Sequence, residues 1–251
     1  MAITLHSSFK FAKSDTHTHD AFGPDLNHTT RDGSSYIPAT NSTVFLVMWG
    51  YSHNGDGVTP IPTAESVSVT GGGLTWTKLG ERRNLPGDTG FTYHSICSVW
   101  AADVGATAPD LIDTVSTWTI TPGYGVFSFG CSFMCFKGAS KNVRQSKIVA
   151  PESPSTFGDS FSSAPLATSL ILFTVGSYPG AFTVDTPPFT GYLHSPGEDS
   201  MGALAAYVLG GSTSTGPWTI NIGTWEGAGV LLELEETQII SERVSTIMIG
   251  M

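Results

Sequence analysis

Between residues 126 and 136 the chain alternates with a period of two. Phe127, Phe129, Cys131, Phe133 and Cys135 fall on one parity; Val126, Ser128, Gly130, Ser132, Met134 and Phe136 fall on the other. Side chains of a strand point alternately to its two faces, so the pattern predicts a strand. The first parity is large and apolar and is expected against a second sheet. The second is mostly small.

Residues 44–51 and 170–175 are continuous apolar runs of strand length. The first is expected to be buried on both sides, or covered by the loop before it, and the second to be another buried strand. Shorter apolar or alternating segments lie at 3–11, 74–79, 93–101, 118–120, 182–184, 202–209, 218–222 and 230–235. Together they make about ten strands. Polar, turn-rich stretches separate them at 12–35, 52–62, 81–90 and 138–165. The last is read as a long connection. A linker between two domains is disfavoured, because each half would have few strands and exposed edges. The expected fold is all-β: a single large antiparallel β-sandwich of jelly-roll type, with long loops, spanning 1–236. No strand-turn-strand unit recurs at a fixed period, which argues against a propeller.

Residues 237–251 differ in kind. Ile239, Ile240, Val244, Ile247, Met248 and Ile249 sit in an otherwise polar tail. The stretch 237–251 has two readings: a frayed or self-docked terminus, or an assembly arm that relieves the cost of an exposed apolar tail by docking on a neighbouring subunit, with Ile239, Ile240, Val244, Ile247 and Met248 as its contacts.

Composition narrows the partners. The 251 residues carry 11 Lys and Arg against 21 Asp and Glu, a formal net charge of −10, and only 13% of them are charged. Nucleic acid and anionic membranes both need a basic face, so neither is expected as a partner. The one basic cluster, Lys141, Arg144 and Lys147, is read as a solvated loop. Cys97, Cys131 and Cys135 are read as small buried hydrophobes. The first ten residues lack a basic segment followed by an apolar run, so no secretory signal is expected.

Candidate chemistry is thin. His17-Thr18-His19-Asp20, with Asp25 or His28, has the residue types of a metal site but no second cluster to support it. Gly158-Asp159-Ser160-Phe161 and Asp25-Leu26-Asn27-His28 are similar to the blocks of GDS(L)-type hydrolases, in reversed order and on the wrong fold class. Asp185, Glu198 and Asp199 are carboxylates in loops with nothing to set them across a cleft. No catalytic residue, cofactor or metal is therefore expected. Most of the six Trp are expected in the core or half-buried; Trp225, in a Gly-rich turn, is the candidate for stacking on a sugar.

The order of motifs resembles a β-sandwich domain of phage virion proteins and of bacterial surface or secreted proteins. The matching residues are Gly73-Leu74-Thr75-Trp76-Thr77, Val99-Trp100-Ala101-Ala102, 126–136, Ser169-Leu170-Ile171-Leu172, Phe182-Thr183, Gly191-Tyr192, Trp218-Thr219-Ile220 and 228–234. The resemblance covers roughly 40–236 and implies one domain. With the acidic composition and the tail, it gives the expectation of a tailed-phage structural protein located in the virion. A capsid decoration (cement) protein binding other capsid or tail subunits, or a second copy, is the leading form. The alternative is a carbohydrate-binding module for a surface glycan.

Overall fold

The computed structural model describes residues 2–15, 25–29, 36–53, 69–70, 73–84, 93–107, 115–119, 126–149, 151–153, 156–178, 182–183, 189–196, 202–210, 212, 214–222 and 226–237. These residues contain strands and no helix. The strands of the first half are β1 (Thr4–Asp15), β2 (Asp25–Thr29), β3 (Ser42–His53), β4 (Val69–Thr70), β5 (Thr77–Asn84), β6 (Tyr93–Val104), β7 (Val115–Thr119) and β8 (Val126–Lys137). Those of the second half are β9 (Ala139–Val149), β10 (Pro151–Ser153), β11 (Thr156–Asp159), β12 (Leu170–Tyr178), β13 (Phe182–Thr183), β14 (Gly191–Pro196), β15 (Gly202–Leu209), β16 (Trp218–Ile222) and β17 (Glu226–Glu236).

Two five-stranded antiparallel sheets dominate, ordered β1-β8-β3-β6-β5 and β14-β15-β12-β17-β9. Their facing sides share one core: Phe45, Val47, Cys97, Val99, Met134 and Phe136 from the first, Leu170, Leu172, Ala205, Val230, Leu232 and Leu234 from the second. The sandwich expected from the strand spacing is thus the coarse architecture. A smaller sheet, β10-β11-β16-β13, supplies Phe157, Trp218 and Ile220 to a further cluster over the outer face of the second large sheet, where Ile171, Phe173, Val175 and Leu231 lie. A three-stranded sheet, β2-β7-β4, completes the set.

The division of labour is sharp. Every strand of the first large sheet precedes Gly138 and every strand of the second follows it. Gly138 is the pivot, and its φ of 79° is one that a Cβ would penalise. The two halves also repeat each other. In the first, the large sheet reads first strand, last, third, sixth, fifth, and the small sheet second, seventh, fourth. In the second, β9, β17, β12, β15 and β14 occupy the same places, as do β11, β16 and β13; β10 is an extra strand outside β11. The matched strands β7 and β16 each enter the same tripeptide, Trp118-Thr119-Ile120 and Trp218-Thr219-Ile220.

Three expectations are corrected. The Phe133 and Cys135 face of β8 does not meet the second large sheet. It packs outward with Tyr36, Leu46, Met48, Trp76 and Trp100, and Tyr36 stacks on Phe133 with centroids 5.2 Å apart. Met134 and Phe136, on the other parity, face the second sheet. Small residues on that parity let two sheets approach closely, while the aromatic side needs a thicker cover. Next, the connection at 138–165 contains three strands, β9, β10 and β11. Its polarity is that of an edge strand rather than of a loop. Finally, 12–15 and 81–84 belong to β1 and β5, and 25–29, in the stretch read as loop, form β2.

Ser132 also lies on the inward parity. It is 1% exposed and its Oγ has no hydrogen-bond partner among the described residues. A buried hydroxyl without a partner is destabilising, so Ser132→Ala is expected to raise stability by about 1 kcal/mol in urea unfolding. A loss of similar size would mean that the hydroxyl is satisfied.

Candidate functional site: the Glu233 clamp and the β9 edge

Glu233 stands in the middle of β17 among Leu231, Leu232 and Leu234, and its side chain is fully buried. It shares the parity of Leu231, so it faces away from the inter-sheet core. There the segment 162–169 folds over it. Oε1 accepts from Leu166 N at 2.8 Å, from Arg144 Nη1 at 2.9 Å and from the Ser169 hydroxyl at 3.0 Å. Oε2 accepts from Arg144 Nη1 at 2.7 Å and from Gln145 Nε2. Gln145 in turn grips Ser163, donating to its carbonyl at 3.0 Å and accepting from its amide at 3.1 Å.

Burial by itself would raise the Glu233 pKa. The hydrogen bonds from Gln145, Leu166 N, Ser169 and Arg144 outweigh it and hold the carboxyl below its ordinary value. A carboxylate held ionised and saturated with donors is a poor proton donor, so its action here is mechanical. It fastens the edge strand β9 and the 162–169 segment to β17.

The same clamp fixes what β9 presents. β9 ends its sheet, bonded to β17 on one side. Lys141 pairs with Asp103 at 2.8 Å, Arg144 with Glu233, and Lys147 lies 4.0 Å from Asp159. All three cations of β9 therefore face acids of their own chain. On the same strand Val143 and Ile148 are 36% and 58% exposed. Where β17 ends, Thr237 N donates to Gly138 O at 2.7 Å, and Thr237 Oγ1 donates to Ala139 O at 2.7 Å. The chain thus leaves the described fold beside the start of β9.

The other residues singled out in the sequence fall as follows. Ile239, Ile240, Val244, Ile247 and Met248 lie outside the described residues, as do Trp225, His17, His19, Asp20, Asp185, Glu198 and Asp199. Asp25 and His28 are in β2, and Cys131 is in β8 opposite Met48. Asp159 ends β11 and its Oδ1 accepts from Ser160 N at 2.6 Å, so this stretch is a strand end. Among the described residues no three His, Cys, Asp or Glu side chains gather as a metal set. Trp49 and Trp218 are buried, and Trp76 and Trp100 are half-buried, as expected of core packing. Cys97 and Cys135 are buried free thiols, and burial pushes Cys97 up to about 12, which leaves it unreactive at neutral pH.

Glu233 was not singled out by sequence reasoning, and Arg144 was read only as part of a solvated basic loop, which the structure replaces by the edge strand β9. The available signal was a lone acid inside Val-Leu-Leu-Glu-Leu, and a lone acid in an apolar strand ordinarily faces water. The chain matches no protein-family profile, no curated protein and no solved structure.

Proposed function

We propose that this chain is a structural subunit of a tailed-phage particle, on the capsid or tail surface, acting by binding its neighbours; a capsid decoration protein is the leading form. The observation that carries the reading is the β9 edge. It is an eleven-residue strand whose second side pairs with no strand among the described residues, with two exposed aliphatic side chains, a buried clamp behind it and the apolar 238–251 segment following next to it. An open edge of this kind is a template for another strand, and soluble proteins usually guard it. Here the cations that would guard it are turned to internal partners. The phage setting comes from the motif resemblance.

We further propose that each half is wound as a jelly roll. A long antiparallel ribbon of eight strands pairs first with last, second with seventh and third with sixth. Rolling it brings third beside last and fourth beside seventh. All five of these neighbours occur in each half once β10 is set aside; the fifth strand, β5 or β14, departs by pairing with the sixth.

Mass spectrometry of density-purified particles from lysed cultures of the source tests the function. A high, stoichiometric copy number is expected, and the number separates shell from tail. Absence from particles, with binding on a glycan array, would replace this reading by the carbohydrate-binding one.

A further inference from the structure

The repeat between the halves has a consequence for the tail. In the first half the last strand, β8, runs through Gly138 directly into β9, which becomes the edge strand beside β17 in the facing sheet. In the second half the last strand, β17, runs through Thr237 into 238–251. The two pivots are hydrogen-bonded to each other, Thr237 N to Gly138 O. The two edges match as well: β5 lies against β9 and β1 against β14, first strand beside fifth in both cases.

The segments after the pivots share a pattern. Arg144-Gln145-Ser146-Lys147-Ile148 begins six residues after Gly138, and Arg243-Val244-Ser245-Thr246-Ile247 begins six residues after Thr237. By position in the chain and by sequence pattern, 238–251 corresponds to β9. Its corresponding place, beside β8, is already held by β1. Neither last strand has a free side, since β8 lies between β1 and β3 and β17 between β12 and β9.

We propose that 238–251 of one chain adds as a strand to the outer edge of β9 in a second copy of this chain. Of the strands that end a large sheet, β9 has two of the five large hydrophobics exposed among the described residues; Tyr192 on β14 is the other one on an edge. β9 is eleven residues long against six for β14 and eight for β5, and β1, with twelve, shows no exposed large hydrophobic among its described side chains. Direct β9-to-β9 pairing would not use 238–251, so the arm variant below separates it from this proposal. Return of the tail to its own β9 is disfavoured. The tail starts at the same end as β9, so pairing along it would be parallel, the less stable arrangement. The proposal deepens the assembly reading above and rests on it for the biological setting alone.

The test uses full-length chains and native mass spectrometry. An edge variant carries Val143→Lys and Ile148→Lys; an arm variant carries Ile247→Lys and Ile249→Lys. The unaltered chain is expected at twice the monomer mass or more, and each variant at the monomer mass. An equimolar mixture of the two variants is expected to form a one-to-one pair, since one keeps a good arm and the other a good edge. A monomeric unaltered chain, an arm variant that still assembles, or a mixture that stays monomeric would each overturn the proposal. Hydrogen exchange on the unaltered chain gives a readout that does not depend on either variant folding. Amides of 139–149 should gain protection as concentration rises; protection that is constant with concentration would place the tail in cis or elsewhere and overturn it. A chain found in particles that fails these tests loses the arm exchange and keeps the assembly reading. A chain that passes them and is absent from particles loses the phage setting only.

Discussion

Glu233→Leu is expected to destabilise the fold by about 3–5 kcal/mol, the range for removing one partner of a buried ion pair. The carboxylate is buried and accepts from three side chains and one backbone amide. A leucine of similar size fills the space and satisfies none of them. Arg144 is 29% exposed and can turn toward water. Leu166 N, over the strand, cannot do so without opening the 162–169 segment, whereas the Ser169 hydroxyl keeps the Leu166 carbonyl as an acceptor at 2.7 Å. Arg144→Met should therefore cost less, about 1.5–3 kcal/mol, the value of a hydrogen bond to a charged group. The double substitution should cost less than the sum, because the second change removes a charge that the first left without its partner.

The acid limb carries an independent signature. The folded pKa of Glu233 lies below its unfolded value, so its contribution is complete above the unfolded pKa of about 4.3. It is lost as pH falls from there through the lowered folded value. In Arg144→Met the effect of burial is less opposed, the folded pKa rises, and the loss begins at a higher pH. In Glu233→Leu this component disappears. Urea midpoints measured from pH 7 down to pH 3 resolve the three curves. An Arg144→Met limb that overlays the unaltered one would remove Arg144 from the clamp.

How much of this was legible in the sequence depends on what each residue touches. The 44–51 run announced a strand buried on both faces, and residues 44–49 are at most 1% exposed. Parity in 126–136 gave two faces but not which face met which sheet; that depends on Tyr36 and Trp76, which come from elsewhere in the chain. β9 was hidden because its apolar residues are few and its cations suggested a solvated loop, whereas pairing with β17 and three acids hold it as an edge. The repeat was hidden by drift. Trp118 and Trp218 are 100 positions apart (218 − 118), but Gly50 and Gly176 in the matched strands β3 and β12 are 126 apart (176 − 50), so no fixed period exists. Strand pairing, which tolerates loops of unequal length, is what exposes it.

Gly176→Val is expected to cost about 3 kcal/mol, at the upper end of the range for overpacking a closed core. Gly176 on β12 lies directly across from Trp49 on β3, where the two large sheets come close. A Cβ at this glycine would sit 2.8 Å from the Trp49 Cβ and 3.6 Å from its Cγ. The obstruction is the first atom of the tryptophan side chain, so no rotamer of the indole relieves it. Trp49→Phe should accordingly fail to rescue Gly176→Ala. Gly80 on β5 makes an instructive contrast. A Cβ there would lie 2.7 Å from Val230 Cγ1, a terminal methyl. Gly80→Ala is thus expected to be rescued largely by Val230→Ala, because the added and removed atoms compete for one space. Chemical unfolding of the two double-mutant cycles reads this directly. A positive coupling at Gly80 and Val230 with none at Gly176 and Trp49 is the expected outcome. Coupling of equal size in both would mean that the sheets can part at Trp49, and that the large-sheet interface is a looser joint than its fully buried residues imply.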